Sequence, residues 1–90
     1  MGTERITHSA AIGDGKLYKL PAPARHHNVF AVMREDGFKR WGTERTGFYT
    51  SDGRYVDRDE AWNVAVSAGQ LNDRAPTDGW GGTLYSEDVW

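Results

Sequence analysis

The sequence predicts a small α+β protein in which antiparallel hairpins pack against two helices. Three observations lead to this class: two glycine-containing turn segments lie between apolar stretches, one capping motif precedes an apolar helical stripe, and no internal repeat is visible. With 90 residues the chain has room for one hydrophobic core. We therefore expect residues 1–90 to form a single domain.

The first two strands are predicted around a tight turn near the N-terminal end of the sequence. Ile6, Ala10 and Ile12 precede "GDGK", and "KLYKL" follows it. Gly13-Asp14-Gly15 favours the positive φ angles that hairpin turns require. The prolines of "PAPAR" end the second strand, because proline has no N–H to donate to a neighbouring strand.

The first helix is predicted over residues 25–35. Val29, Val32 and Met33 recur at helical spacing, and Gly37 supplies the residue after the helix that usually adopts a left-handed conformation. The segment "FKRWGTER" that follows is polar apart from one tryptophan, which indicates a loop or an irregular edge strand.

The second half of the fold is predicted from a hairpin followed directly by a helix. "TGFYTSDGRYVD" places Asp52-Gly53 between two apolar stretches, which is typical of a hairpin turn. A helix over residues 58–68 then begins with a capping box, in which Asp57 accepts from the third helical amide and Glu60 reaches back. Its buried stripe consists of Ala61, Val64, Ala65 and Ala68.

Composition and charge exclude several classes of protein. The chain has no cysteine, and its two adjacent histidines lack the i, i+4 spacing of a helical zinc site, so we expect no metal and no cofactor. A net charge of −2 lacks the basic surface that duplex nucleic acid requires. There is neither a membrane-length apolar run nor a signal peptide, so we expect a cytoplasmic protein that neither spans a membrane nor binds duplex.

The stretch "RHHNVFAVM" is the principal candidate for a binding site. Arg25, His26 and His27 lie where the first helix begins, beside backbone N–H groups that lack helical partners. The helix dipole already disfavours cations there, so a bound anion such as a phosphate would stabilise them. The alternative is structural: one imidazole packs on an aromatic ring and the other is solvated.

A second set of candidates lies in the central hairpin and just beyond the second helix. Thr50, Ser51 and Arg54 offer hydroxyls and a guanidinium to a phosphate, although the same residues are common in turns. Gln70 either caps the helix or contacts a ligand. A nucleotide base is expected to stack on Tyr49 or Tyr55.

Two further segments have more than one interpretation. In "LYSEDVW", Glu87 and Asp88 either neutralise the cations of the candidate site, as a structural latch, or contact a neighbouring subunit. The turn-rich residues 72–82 form either a flap over the site or a disordered loop.

Three segments together resemble a group of short phage and prophage proteins. These are "RHHNVFAVM", "GFYTSDGRYVDRDEAWNVAVSAGQ" and "LYSEDVW", which cover over half of the chain in matching order and spacing. The N-terminal hairpin and the loop "NDRAPTDGWGG" lie outside the resemblance. It implies a phage setting and no particular chemistry. Its matching positions are Arg25, His26, His27, Gly47, Phe48, Thr50, Gly53, Arg54, Arg58, Glu60, Ala61, Gly69, Gln70, Ser86, Glu87 and Asp88.

Three functional hypotheses follow from these residues and this setting. The first is a phage protein that binds a small anionic, nucleotide-like ligand, as a counter-defence sponge for a nucleotide signal. The second is a protein-binding inhibitor of a host defence complex, comparable to an anti-CRISPR protein. The third is a small phosphoesterase that uses a histidine as acid or base. A homo-oligomer fits the first and third hypotheses, because a chain this small forms a deep site most readily at a subunit boundary.

Overall fold

The computed structural model describes residues 3–72 and 82–90, and it confirms the predicted α+β class. Four strands form one antiparallel sheet in the order β2-β1-β3-β4. The elements in chain order are β1 Ile6–Gly13, β2 Lys16–Pro21, α1 His26–Glu35, β3 Arg45–Thr50, β4 Tyr55–Asp57, α2 Arg58–Ser67 and a 3-10 turn Ser86–Asp88. Within the described ranges, no helix has the length and apolar character needed to cross a membrane.

Both predicted hairpins are present with their turns where the sequence places them. Asp14 and Gly15 have φ angles of 52° and 77°, as the two central residues of a tight hairpin turn require. Gly13 is needed for a different reason than the predicted positive φ. A Cβ atom on Gly13 would lie 2.7 Å from Met33 Cε and from Phe38 Cε1, so the close packing of α1 on β1 requires glycine.

Both helices pack on the same face of the sheet. Strand pairing aligns Ser9 with Phe48 and Phe48 with Val56, and the alternation along β1 puts Ala11 on the same face as Ser9. Phe48 and Val56 pack with residues of α2, whereas Ala11 packs with residues of α1. The core therefore lies between one sheet face and two helices.

The helix boundaries agree closely with the prediction, and two details of the prediction are wrong. Asp57 accepts a hydrogen bond from the Glu60 amide at 2.8 Å, as predicted, but the Glu60 carboxylate accepts from Arg54 instead of reaching back. In α1, Val29 and Met33 are buried, whereas Val32 is 38% exposed and lies outside the core.

The segments around the helices pack through aromatic rings. Residues 38–44 form a loop, in which Trp41 contacts Phe30 and Phe38 edge to face at centroid distances of 5.9 and 4.7 Å. Within residues 82–90, Leu84 enters the core, and the indole of Trp90 donates to the Ala24 carbonyl at 2.8 Å. The C-terminal segment thus packs against the residues that precede α1.

Candidate functional site

A concave space of about 240 Å³ lies where α1 begins, and we call it the α1 cleft. Three distant parts of the chain form its walls: the first residues of α1, the first residue of α2, and the segment around the 3-10 turn. The lining residues are Arg25, His26, His27, Arg58, Tyr85, Ser86 and Glu87. The cleft contains three of the seven site residues predicted from the sequence.

The backbone at the start of α1 presents a positive helix end to the α1 cleft. Arg25 is the residue before the helix and is extended, and its N–H donates to Asn28 Oδ1 at 2.9 Å. An arginine side chain has no acceptor with which to cap the first helical amides, and the first turn contains no acidic residue. The helix dipole at this end is therefore not offset by a carboxylate of α1 itself.

His26 is a packing residue of the cleft floor. Its side chain is buried, its ring lies edge to face with Phe48 at 4.9 Å, and its Nε2 is 2.7 Å from the Gly47 carbonyl oxygen. Because the carbonyl only accepts, Nε2 carries the proton and donates. Burial lowers the pKa of His26 to about 4, so the positive charge predicted for His26 is absent near neutral pH.

Arg25 and His27 line the α1 cleft with side chains that are at least partly open to solvent. The Arg25 guanidinium donates one hydrogen bond, from Nη2 to the Trp90 backbone oxygen at 2.7 Å, and a guanidinium has four further N–H groups. His27 is exposed beside it. The two adjacent imidazoles therefore have different environments, one in the core and one in water, although both line the cleft.

Arg58 is the cationic cleft residue that the sequence analysis missed as a candidate. It donates to Thr46 Oγ1 at 3.0 Å and to the Leu84 carbonyl at 2.8 Å, and its guanidinium carbon lies 5.0 Å from the Tyr85 ring centroid. Burial lowers the pKa of Arg58, and an arginine with a lowered pKa still carries its charge. Its place inside a helix-capping motif pointed to a local structural role, although Arg58 is one of the positions that match the phage-protein resemblance.

One carboxylate, Glu87, also lines the α1 cleft and offsets part of the positive charge. It raises the pKa of His26 through charge attraction, although less than burial lowers it. Asp88 does not face the cations, because its Oδ2 accepts from the Tyr85 amide at 3.0 Å. The cleft thus contains two guanidinium groups, one carboxylate and one exposed imidazole.

The remaining predicted site residues form a separate network. Arg54 is paired with two carboxylates, with Nε 2.7 Å from Glu4 Oε2 and Nη1 2.6 Å from Glu60 Oε2. Thr50 donates to Glu4 at 2.6 Å, and hydrogen bonds from Arg54 and Thr50 lower the pKa of Glu4 to about 2. The charge of Arg54 is therefore already neutralised within the chain.

Ser51 and Gln70 also hold the N-terminal segment in place. The Ser51 hydroxyl accepts from the Arg5 amide at 2.9 Å. The Gln70 amide accepts from Ile6 N at 2.7 Å and donates to Ile6 O at 2.9 Å, as a neighbouring strand would. The Gln70 side chain acts neither as a helix cap nor as a ligand contact in this structure. Both of its polar atoms bind the backbone of β1 instead.

The aromatic residues expected to stack with a base lie elsewhere. The alternation along the strands puts Tyr49 and Tyr55 on the sheet face opposite the helices, and Tyr85 is the aromatic residue that lines the α1 cleft.

In residues 3–72 and 82–90, no group of three or more His, Asp or Glu side chains is placed to hold a metal ion. Most of the flap predicted over residues 72–82 lies outside the described residues.

The fold and the cleft together define a small α+β protein with a positively charged concave site at a helix start. Residues 6–90 match the family model described as "Phage T4 y16D protein". The chain belongs to this phage family. The match includes the first hairpin and the loop that the three resembling segments left out. Searches of curated proteins and of solved structures gave no match.

Proposed function

We propose that this phage protein binds a small anionic, nucleotide-like ligand in the α1 cleft. The single observation that carries the proposal is the position of Arg25 and Arg58 in one cleft at the positive end of α1. Guanidinium groups bind phosphate through paired, charge-assisted hydrogen bonds. The backbone N–H groups at a helix start also donate hydrogen bonds and carry partial positive charge, so they favour the same anion. Membership of a phage family gives the setting.

The lining residues form two contact regions, one for a phosphate and one for a base. A phosphate contacts Arg25 and His27, whose donors lie at the start of α1. A base lies against Tyr85, which is 50% exposed, and the Arg58 guanidinium behind this ring adds its positive charge to the attraction for the phosphate. This arrangement replaces Tyr49, Tyr55 and the Thr50–Arg54 hairpin of the sequence-based hypothesis with residues that share one cavity.

The biological role that follows from this chemistry is sequestration of a nucleotide signal in the cytoplasm of an infected cell. A binding protein of this kind lowers the free concentration of its ligand without catalysis. The support is that the chain belongs to a phage family and that its cleft is a concave space lined by two guanidinium groups.

The phosphoesterase alternative has less support from the geometry. The His26 ring is hydrogen-bonded to the Gly47 carbonyl and its pKa is about 4, so His26 is not suited to act as an acid or base near neutral pH. The inhibitor alternative draws on Trp41 and Tyr85, which among the described residues are the large aromatic side chains more than two-fifths exposed. A pull-down from host lysate with Trp41→Ser as control tests it.

A thermal-shift titration against mononucleotides, linear dinucleotides and cyclic dinucleotides tests the proposed binding. A ligand at about 100 times its Kd stabilises the native state by about 2.7 kcal/mol, which raises the melting temperature by several degrees. Arg25→Gln and Tyr85→Ala should reduce the shift, and Arg54→Gln is the matched control because that guanidinium is paired outside the cleft. No shift with any nucleotide at millimolar concentration contradicts the proposal.

A further inference from the structure

The sheet has a second face, which the helices do not cover. On each strand, residues that alternate with the core positions point to this open face. Ser9, Phe48 and Val56 point to the helices, so His8, Tyr49 and Tyr55 point away from them. We call the surface formed by His8, Lys19, Arg45, Tyr49 and Tyr55 the open face.

Three neighbouring strands each place an aromatic side chain on the open face. His8 and Tyr49 are paired across β1 and β3, and their rings lie edge to face at 5.7 Å. Tyr49 and Tyr55 are directly opposite across β3 and β4. Tyr55 lies over Gly47, where a Cβ atom would be 2.7 Å from the Tyr55 hydroxyl oxygen. The three rings are half-buried, so part of each ring is open to solvent.

The described part of the open face carries two cationic side chains and one carboxylate, although the whole chain has a net charge of −2. Lys19 Nζ lies 4.8 Å from the Tyr49 ring centroid, and Arg45 is exposed at the start of β3. Among the described residues, Asp57 is the carboxylate at this face, and it accepts a hydrogen bond from the Glu60 amide as the cap of α2. Other carboxylates pair away from the open face, as Asp36 does with Lys16 and Glu4 with Arg54.

We propose that the open face binds a short single-stranded nucleic acid. One base stacks on Tyr49 after the flexible Lys19 side chain leaves the ring and contacts the adjacent phosphate, and a neighbouring base meets Tyr55. Single strands suit this surface because their bases are free to stack on aromatic rings. The bases of a duplex are already stacked on each other, so a duplex would contact this surface mainly through its phosphates. The site is separate from the α1 cleft and does not depend on the ligand proposed there.

Fluorescence anisotropy with labelled strands of about twelve nucleotides tests the proposal. The probes are oligo(U), oligo(dT), a duplex of the same length, and inorganic polyphosphate of similar charge. We expect at least one single strand to bind about tenfold or more tightly than the duplex and the polyphosphate, because stacking adds to the charge attraction. Equal binding of all four probes, or no binding of either strand up to about 100 µM protein, overturns the proposal.

Variants of the open face separate stacking from charge. Tyr49→Leu and Tyr55→Leu should each weaken strand binding by about tenfold, and Tyr49→Phe, which keeps the ring, should stay within about twofold of the wild type. Lys19→Gln should reduce the slope of log K against log salt by about 0.7. The matched controls are Tyr85→Leu in the α1 cleft and the exposed Lys39→Gln. Equal losses in the controls overturn the proposal.

A second measurement tests the location of the binding site on the wild-type protein, in case Tyr49→Leu does not fold. Backbone NMR shifts of the wild-type protein titrated with the tighter strand should be largest along β1, β3 and β4 at open-face residues. Shifts confined to the residues of the α1 cleft would place the nucleic acid there and overturn the assignment to the open face.

Discussion

The imidazole of His26 donates a hydrogen bond from Nε2 to the carbonyl oxygen of Gly47, 2.7 Å away, and so joins the first turn of α1 to an interior strand of the sheet. The same ring packs edge to face on Phe48. One side chain therefore fixes the position of the helix start relative to the sheet. Since Arg25 and His27 are its neighbours in sequence, it also fixes the geometry of the α1 cleft.

His26→Ala should destabilise the protein by about 2 to 4 kcal/mol. The substitution removes a buried ring and leaves the Gly47 carbonyl without this donor, and each effect is costly inside a core. Urea unfolding followed by circular dichroism measures the loss. His27→Ala is the control, because an exposed side chain should change the free energy of unfolding by no more than about 0.5 kcal/mol. Equal effects of the two substitutions would show that His26 does not have this structural role.

Stability should rise with pH between about pH 4.5 and 6.5. The pKa of His26 is 6.5 without the fold and about 4 within it, so the unfolded chain binds more protons in this range. The His26 contribution is complete above pH 6.5 and is lost as the pH falls toward 4. It amounts to about 2 to 3 kcal/mol over this interval, because one pKa unit corresponds to about 1.4 kcal/mol.

Unfolding free energies of the wild type and of His26→Gln, measured across this pH range, test the assignment. The pKa of His8 is also lowered by burial and adds a slope of the same sign in both proteins. The difference between the two proteins therefore isolates His26. Parallel pH profiles would assign the slope to other groups.

Gln70→Ala should lower the free energy of unfolding by about 2 kcal/mol. The side-chain amide satisfies both the N–H and the C=O of Ile6, and the substitution removes both hydrogen bonds at the start of β1. Gln70→Glu should also destabilise, because a carboxylate cannot donate to the Ile6 carbonyl. Asn63→Ala, at an exposed position of α2, is the control, and a cost for Gln70→Ala as small as the control's would contradict this assignment.

Gly47→Ala should destabilise by about 2 to 3 kcal/mol, although Gly47 has no positive φ. A Cβ atom there would lie 2.1 Å from the Val56 carbonyl oxygen, and backbone of the neighbouring strand yields little. Gly53→Ala provides the comparison, since φ is +79° but the nearest atom is 3.8 Å away, and about 1 kcal/mol is expected. A thermal melt that orders the two variants the other way would contradict the close approach of β4 to Gly47.

The elements of this fold could be predicted because their signals are local. Asp14-Gly15, the Asp57 cap and Gly37 act within a few residues of the chain, and each is found in its predicted role. One of the two hydrogen bonds predicted for the capping box of α2 is not formed, because the Glu60 carboxylate pairs with the Arg54 guanidinium instead. No local sequence pattern predicts that Glu60 binds Arg54 in preference to the backbone of Asp57.

The candidate site could be predicted only in part, because it combines distant segments. Arg25, His26 and His27 are adjacent in sequence, so their grouping was visible, but the burial of His26 depends on Phe48 in another strand. Arg58 and Tyr85 enter the cleft through tertiary packing. Arg54 was a reasonable phosphate ligand by residue type, because its pairing with Glu4, fifty positions away, arises only in the folded chain.

The strand order has a consequence for how the chain reaches this structure. Each outer strand joins its inner neighbour through a short turn, whereas the two inner strands, β1 and β3, are separated by α1 and its flanking loops. Closing such an intervening loop costs entropy before the contacts that compensate for it exist. The two hairpins are therefore the early local units, and their meeting along β1 and β3 is the step that should limit the rate of folding.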